Sequence, residues 1–222
     1  MKKAGKQKDE SRPMLPNGLY CLTGMDFSRG RSNREVVEKM LEAGVRVIQY
    51  REKELPSGQK YRECLEIREM TRRAGALMIV NDDIAIAILV AADGVHIGQD
   101  DLPLEQVRHL VGPHMLIGLS THSRQQAIDA ANRGADYIGV GPVFATATKA
   151  DAAAAIGLEG LKDIAAAVNI PVVAIGGIKE QNVVEVLRNG ADCAAIISDI
   201  VGADDIVAKV RDIQKNILKE TK

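Results

Sequence analysis

Residues 134–139 read Gly-Ala-Asp-Tyr-Ile-Gly, and the same grammar returns as AGVRVI at 43–48, ADGVHI at 92–97 and GADCAA at 190–195. Each copy begins with a small residue where a helical period ends. It usually continues with an acidic or polar residue and then runs into a strand. Glycine fits the left-handed turn that closes a helix C-terminus. Four copies of one helix-to-strand joint point to a chain assembled from repeated βα units.

Reading outward from these joints, short apolar runs mark strands at Leu19–Thr23, Val45–Tyr50, Leu77–Asn81, Gly94–Ile97, Met115–Ser120, Tyr137–Val140, Pro171–Ile175 and Ala194–Ile197. Between them lie amphipathic stretches such as 32–43, 59–74, 104–111, 123–133, 158–168 and 181–189, and a last helix is expected over 204–219. Continuous Val/Ile runs suit strands covered by helices on their outer face, and β–α alternation implies a parallel sheet. Eight strands count out a closed barrel, so the expected fold is α/β, a single-domain (β/α)8 TIM barrel. A doubly wound open sheet is the alternative, but no G-x-G-x-x-G follows the first strand.

The totals agree with one domain. At 222 residues the chain can bury one core and is short for two. Basic and acidic residues nearly cancel, 29 against 30, so no global field would recruit nucleic acid or an anionic membrane surface. Aromatics make up 3% with no Trp, which argues against base-stacking surfaces. Cys21, Cys64 and Cys193 are far apart in sequence and lack metal-like spacing, as expected of reduced thiols in a cytoplasmic protein. The first residues, MKKAGKQKDESRPM, have no apolar core of a signal peptide. Residues 1–16 therefore read as a polar, flexible tail and 17–222 as the catalytic barrel.

In such barrels functional groups gather at the C-terminal strand ends. Strand two ends in Gln49-Tyr50-Arg51-Glu52-Lys53, which puts Gln49, Arg51 and Lys53 on one face. Two cations there suit a phosphate or pyrophosphate, and a solvated charged loop is the competing reading. Strand three ends in Asn81-Asp82-Asp83, and strand four continues into Gly98-Gln99-Asp100-Asp101. One carboxylate from each of two neighbouring strand ends would hold Mg2+ with substrate phosphates completing the shell. Helix capping explains such residues equally well. His96 reads as a packed or hydrogen-bonded core residue, since no second histidine stands at metal spacing.

Strand five ends at Ser120, with no nucleophile-elbow motif around it. After strand six a long loop carries Thr146, Thr148 and Lys149, able to hold a phosphate and fold over the mouth. Strand seven ends in Ile175-Gly176-Gly177 and strand eight in Ile197-Ser198, the usual place for a phosphate held by backbone N–H groups.

Taken in order, QYREK, NDD, HIGQDD, the Thr-x-Thr-Lys loop and AIGGI resemble the thiamine phosphate synthase family from Gly18 to Ser198. The resemblance implies a transferase. It joins 4-amino-2-methyl-5-hydroxymethylpyrimidine diphosphate to hydroxyethylthiazole phosphate, releasing pyrophosphate. It assigns the diphosphate to Arg51, Lys53, Asn81 and Lys149, with Arg51, Lys53 and Lys149 as catalytic cations. Gln49 and Ser120 would orient the pyrimidine, Asp82 and Asp101 would hold Mg2+, and Asp83 and Asp100 would cap or support. Thr146, Thr148, Gly177, Ile197 and Ser198 would line the thiazole phosphate site. Two features depart from the family pattern: Gly24 follows Thr23 where many relatives carry an acidic residue, and Ala152–Ala155 is a plain run after Lys149.

Two rivals remain. A sugar-phosphate isomerase or epimerase needs a carboxylate base and one anion site, whereas this chain offers two. A paralogue acting on thiazole phosphate alone would lack much of the diphosphate and metal set that is complete here.

Overall fold

The computed structural model describes residues 12–146, 148 and 154–220. Eight parallel strands close into a barrel in sequence order: β1 (Gly18–Leu22), β2 (Val47–Tyr50), β3 (Leu77–Asn81), β4 (Gly94–Ile97), β5 (Leu116–Thr121), β6 (Tyr137–Val140), β7 (Val172–Ile175) and β8 (Cys193–Ile196). β8 pairs back onto β1 with Gly18 opposite Cys193 and Cys21 opposite Ile196. The single-domain (β/α)8 barrel expected from the sequence is the fold observed.

The outer ring comprises α1 (Asn33–Glu42), α2 (Ser57–Ala74), α3 (Ile84–Leu89), α4 (Leu104–Val111), α5 (Arg124–Asn132), α6 (Gly157–Ala165), α7 (Val183–Arg188), α8 (Ser198–Val201) and α9 (Ile206–Glu220). α1 opens with a capping box, in which the Ser32 side chain accepts from Glu35 N while the Glu35 carboxylate accepts from Ser32 N. α2 ends at Gly75, whose φ of 64° requires the left-handed region.

Strand parity divides the apolar residues into two layers. Cys21, Ile48, Met78, Val80, Val95, Ile97, Ile117, Ile138 and Val140 face outward into the helix layer. Tyr20, Leu22, Val47, Ile79, Leu116, Tyr137, Val173, Cys193 and Ala195 fill the barrel interior. Two strand glycines admit the large interior rings. A Cβ on Gly118 would lie 2.1 Å from Tyr137 Cζ, and one on Gly139 would lie 2.9 Å from His96 Cε1.

The repeated Asp before a strand has a specific task at the barrel's N-terminal end. Its carboxylate accepts the N–H of the second residue, or the first, of the preceding strand. Asp93 bonds Met78 N at 2.8 Å, Asp136 bonds Ile117 N at 2.7 Å and Asp192 bonds Val172 N at 2.8 Å. Arg68 adds a two-pronged ion pair to Asp93, with one bond of 2.9 Å, and Arg108 pairs with Asp136.

Residues 12–16, read from sequence as part of a solvated tail, instead seal this end. Leu15 is 9% exposed and joins the interior cluster. Arg12 donates to the Pro113 carbonyl at 2.8 Å and pairs with Asp136, and Cys193 Sγ donates to the Pro16 carbonyl. An apolar pair, Met14 and Leu15, set between two prolines carries no periodic signal in the sequence. Leu15→Ala is expected to cost about 2–3 kcal/mol of stability through the lost burial and the void left behind. Because this floor lies opposite the mouth, activity per folded molecule should be unchanged. Urea unfolding paired with an activity assay checks both statements.

Candidate active site

Parity also aims the polar side chains. Gln49 and Asn81 share the inward face of Val47, Ile79 and their neighbours, and Ser120 shares that of Leu116. They line a cavity of about 80 Å3 below the mouth, together with His96 and Tyr137. A second cavity of about 370 Å3 opens above it, and Ile175 lines both.

Beyond Tyr50 the chain leaves β2, and Thr23, just past the end of β1, fixes where it goes. The Thr23 hydroxyl accepts from Arg51 N at 2.8 Å and donates to the Arg51 carbonyl at 3.3 Å. Glu52 Oε1 accepts from Met25 N at 3.1 Å, which ties the loops after β1 and β2 together. Burial pushes the Glu52 carboxyl above its ordinary range, against the pull of its bonds to Met25 N and Asn33. Behind the loop, Glu63 accepts from Tyr50 Oη at 3.0 Å and Asn33 Nδ2 at 2.8 Å. The backbone that presents Arg51 and Lys53 is therefore braced from two sides.

Asp82 holds φ at 59°, a conformation that Asp and Asn tolerate better than most residues. Its N–H bonds the His96 carbonyl at 2.9 Å, so the end of β3 is clipped to β4. The Asp82 carboxyl reaches solvent, yet desolvation in the crowded mouth raises it above the ordinary carboxylate range. The Asp101 charge beside it raises it further, while Lys53 and Arg51 pull it down. Asp101 is fixed in turn by accepting from Gly98 N at 2.6 Å. The structure thus gathers Arg51, Lys53 and Asp101 within electrostatic reach of Asp82. Asp83 caps α3, accepting from Ile86 N at 3.1 Å, as the sequence reading allowed. Asp100 is exposed.

The larger cavity is lined by Arg51, Thr146, Thr148, Gly177, Ile197 and Ser198. The two threonines bond each other, Oγ1 to Oγ1 at 3.2 Å, and Thr148 N donates to Thr146 Oγ1. Gly176 and Gly177 have φ of 99° and 63°, and both lie hard against the loop after β6. A Cβ on Gly176 would meet Pro142 Cβ at 2.4 Å, and one on Gly177 would meet the Ala145 carbonyl oxygen at 2.7 Å. That approach lets Val143 N donate to the Ile175 carbonyl and Phe144 N to the Gly176 carbonyl. The glycine pair is therefore also the seat of the threonine loop. Lys149, assigned from sequence to the diphosphate, lies outside the described residues.

Two lining residues carried no sequence signal: Phe27, in a 3-10 turn after β1, and Lys179, just beyond the glycine pair. Neither belongs to a motif. Gly24, the departure in the first strand end, sits where a Cβ would lie 3.0 Å from Ile197 Cγ2. Glycine there leaves Ile197 its place in the cavity wall.

Among the described residues no group of three or more His, Cys, Asp or Glu side chains forms a metal cage. No helix among them is long and apolar enough to cross a membrane.

The family model described as "Thiamine monophosphate synthase" matches residues 19–200. The thiamine-phosphate synthase of Pelotomaculum thermopropionicum is 56% identical over 207 residues, covering 93% of this chain and 95% of that one. The protein of the same name from Chloroflexus aurantiacus is 50% identical over 196 residues, 88% of this chain and 90% of its own. Among solved structures, thiamine phosphate pyrophosphorylase from Pyrococcus furiosus superposes with a TM-score of 0.85 at 38% identity, over 92% of this chain and 97% of that one. With barrel, strand-end residues and relatives all in agreement, the chain belongs to the thiamine monophosphate synthase family.

Proposed function

We propose that this chain joins 4-amino-2-methyl-5-hydroxymethylpyrimidine diphosphate to hydroxyethylthiazole phosphate, forming thiamine phosphate and pyrophosphate. The observation that carries this reading is the position of Arg51. It lines the larger cavity, and its charge also acts on Asp82 in the cationic and acidic cluster beside the smaller one. Two anion subsites meeting at one guanidinium suit a reaction between two phosphorylated substrates, and an isomerase needs only one.

In this reading Gln49, Asn81 and Ser120 receive the pyrimidine in the inner cavity. Arg51 and Lys53, with Lys149, hold its diphosphate at the mouth. Thr146, Thr148 and the backbone at Gly177, Ile197 and Ser198 receive the thiazole phosphate, where the first N–H groups of a helix lack intrahelical acceptors. The carbon–oxygen bond to the diphosphate breaks first, and the electron-rich aminopyrimidine ring stabilises the resulting carbocation. The thiazole nitrogen then captures it. No activated nucleophile is required.

The donor set fits Mg2+. Mg2+ is held by one or two carboxylates plus substrate phosphates and water, and Asp82 and Asp101 supply two carboxylates close enough to repel each other. When bound, the ion would neutralise charge developing on the departing pyrophosphate. Arg51 and Lys53 contribute to the same neutralisation from a fixed loop, at no cost in reorganisation.

The test is product formation by the purified protein with both substrates, with Mg2+ or with excess chelator. Thiamine phosphate and pyrophosphate are expected in equal amounts, and only with the metal. Absence of product while thiazole phosphate still binds would overturn the reading in favour of a paralogue that handles thiazole phosphate alone.

A further inference from the structure

Below the mouth, side chains from five strands form an unbroken hydrogen-bond chain. Gln49 Nε2 donates to Tyr20 Oη at 2.9 Å, and the Tyr20 and Tyr137 hydroxyls are 3.1 Å apart. Tyr137 Oη lies 3.1 Å from His96 Nδ1, and His96 Nε2 lies 3.0 Å from Ser120 Oγ. Tyr20 and Tyr137 are buried, 1% and 0% exposed, so each hydroxyl proton must find its acceptor inside the chain. With Gln49 donating to Tyr20, both tyrosine protons can run only toward His96, so Nδ1 must be a bare acceptor and the ring is neutral, with one proton.

Each hydroxyl has one proton and the neutral imidazole has one, which fixes the direction of every link. With Gln49 donating its amide N–H, Tyr20 must donate to Tyr137 and Tyr137 to His96 Nδ1. The imidazole proton then sits on Nε2 and is given to Ser120 Oγ. Any other arrangement with Gln49 as donor strands a buried hydroxyl proton. Two groups are left over for a ligand, one at each end of the chain. Gln49 Oε1 takes no hydrogen bond among the described residues, and the Ser120 hydroxyl proton is free to point away from His96. Both residues line the same cavity. With Gln49 as acceptor instead, the tyrosine protons would run the other way and leave the Gln49 amide N–H for a ligand.

We propose that Tyr137 and His96 are positioning residues that set the hydrogen-bond polarity of the pyrimidine subsite, making Ser120 a donor and Gln49 an acceptor. This rests on the function proposed above. A 4-aminopyrimidine presents an amine N–H beside a bare ring nitrogen, which complements an acceptor paired with a donor. Its 4-oxo counterpart presents a carbonyl beside a ring N–H, the inverse pattern. The relay therefore selects the amino substrate and rejects the oxo one by fixing the polarity of Gln49 and Ser120. The ring pair is held for this task by Gly118 and Gly139, whose missing side chains leave its space.

The experiment compares Tyr137→Phe, Tyr20→Phe and the parent protein. In Tyr137→Phe, Nδ1 loses its donor and the imidazole proton is free to occupy either nitrogen. The kcat/KM preference for the amino over the oxo pyrimidine diphosphate should fall about tenfold, the worth of one hydrogen bond. KM for the thiazole phosphate should not move. In Tyr20→Phe the Gln49 amide loses its acceptor and Tyr137 its donor, so the preference should fall as well; a general packing role would instead raise KM for the thiazole phosphate in both variants. Nitrogen-15 NMR of the substrate-free protein reads the tautomer directly, with Nε2–H expected in the parent and a mixture in Tyr137→Phe. Should Tyr137→Phe not fold, Ser120→Ala must lose the same preference while keeping the Nε2–H form. An unchanged preference in Tyr137→Phe, or an Nδ1–H tautomer in the parent, would overturn the relay. A parent without synthase activity but with the Nε2–H tautomer would overturn the proposed function and leave the relay's geometry standing.

Discussion

Asp82→Asn is expected to lower turnover about a thousandfold while the protein melts at the parent's temperature. The substitution keeps the shape and the left-handed backbone, since Asn accepts a φ of 59° as readily as Asp. It removes a charge that the fold does not use for its own stability. The Asp82 carboxyl sits above its ordinary range because of desolvation and the neighbouring Asp101, so the folded state is not held together by ionising it. What is lost is one of two carboxylates proposed to hold the ion on the diphosphate. Losing one preorganised electrostatic group at a reacting centre costs about a hundred- to a thousandfold. Steady-state turnover at saturating Mg2+ and both substrates, with a melting curve, checks the pair of statements. Turnover within tenfold of the parent would remove Asp82 from the site.

The largest stability effect is expected at the opposite end of the barrel. Asp136→Ala should cost about 3–5 kcal/mol, because it strips the partner from Arg108 and Arg12 and orphans Ile117 N in one stroke. The Asp136 side chain is 7% exposed and that of Arg108 23%, so water cannot fully replace what is lost. Asp192→Ala removes the equivalent bond to Val172 N with no ion pair attached to Asp192 among the described residues, and should cost only about 1 kcal/mol. Asp93→Ala, which releases Arg68, belongs between them. Urea midpoints that rank Asp136, Asp93 and Asp192 in that order would show that the arginine clamps carry the difference. Equal losses at all three would assign the whole effect to the strand N–H.

These two predictions also show what the sequence could and could not reveal. The strand limits read from apolar runs agree with those observed to within two residues. A buried parallel strand is itself a run of apolar residues, so pattern and structure coincide. The acidic residue in the repeated joint is visible in sequence, but its bond to a neighbouring strand is not. α3, six apolar residues reading IAIAIL, has no polar face and so no helical period to detect. α8 is a single turn.

At the mouth, period-two alternation put Gln49 and Arg51 on one face, and the glycine pair marked a close backbone approach. The hydrogen-bond chain from Gln49 to Ser120 had no such signature. Tyr20 and Tyr137 are 117 positions apart and His96 and Tyr137 are 41 apart, so only barrel closure makes them neighbours.

The sealing of the barrel floor sets a schedule for synthesis on the ribosome. Arg12 and Pro16 emerge early, but Pro113, Asp136 and Cys193 lie 101, 124 and 177 residues further along the chain. At translation speeds of about 5–20 residues per second, Pro16 waits roughly 10–35 s for Cys193. β1 waits equally long for β8, since Gly18 pairs with Cys193. Throughout that interval Leu15, Tyr20 and Leu22 have no floor or eighth strand to cover them. The stretch from Leu15 to Leu22 thus stays uncovered until β8 has been made, and it is the last part of the barrel to be enclosed.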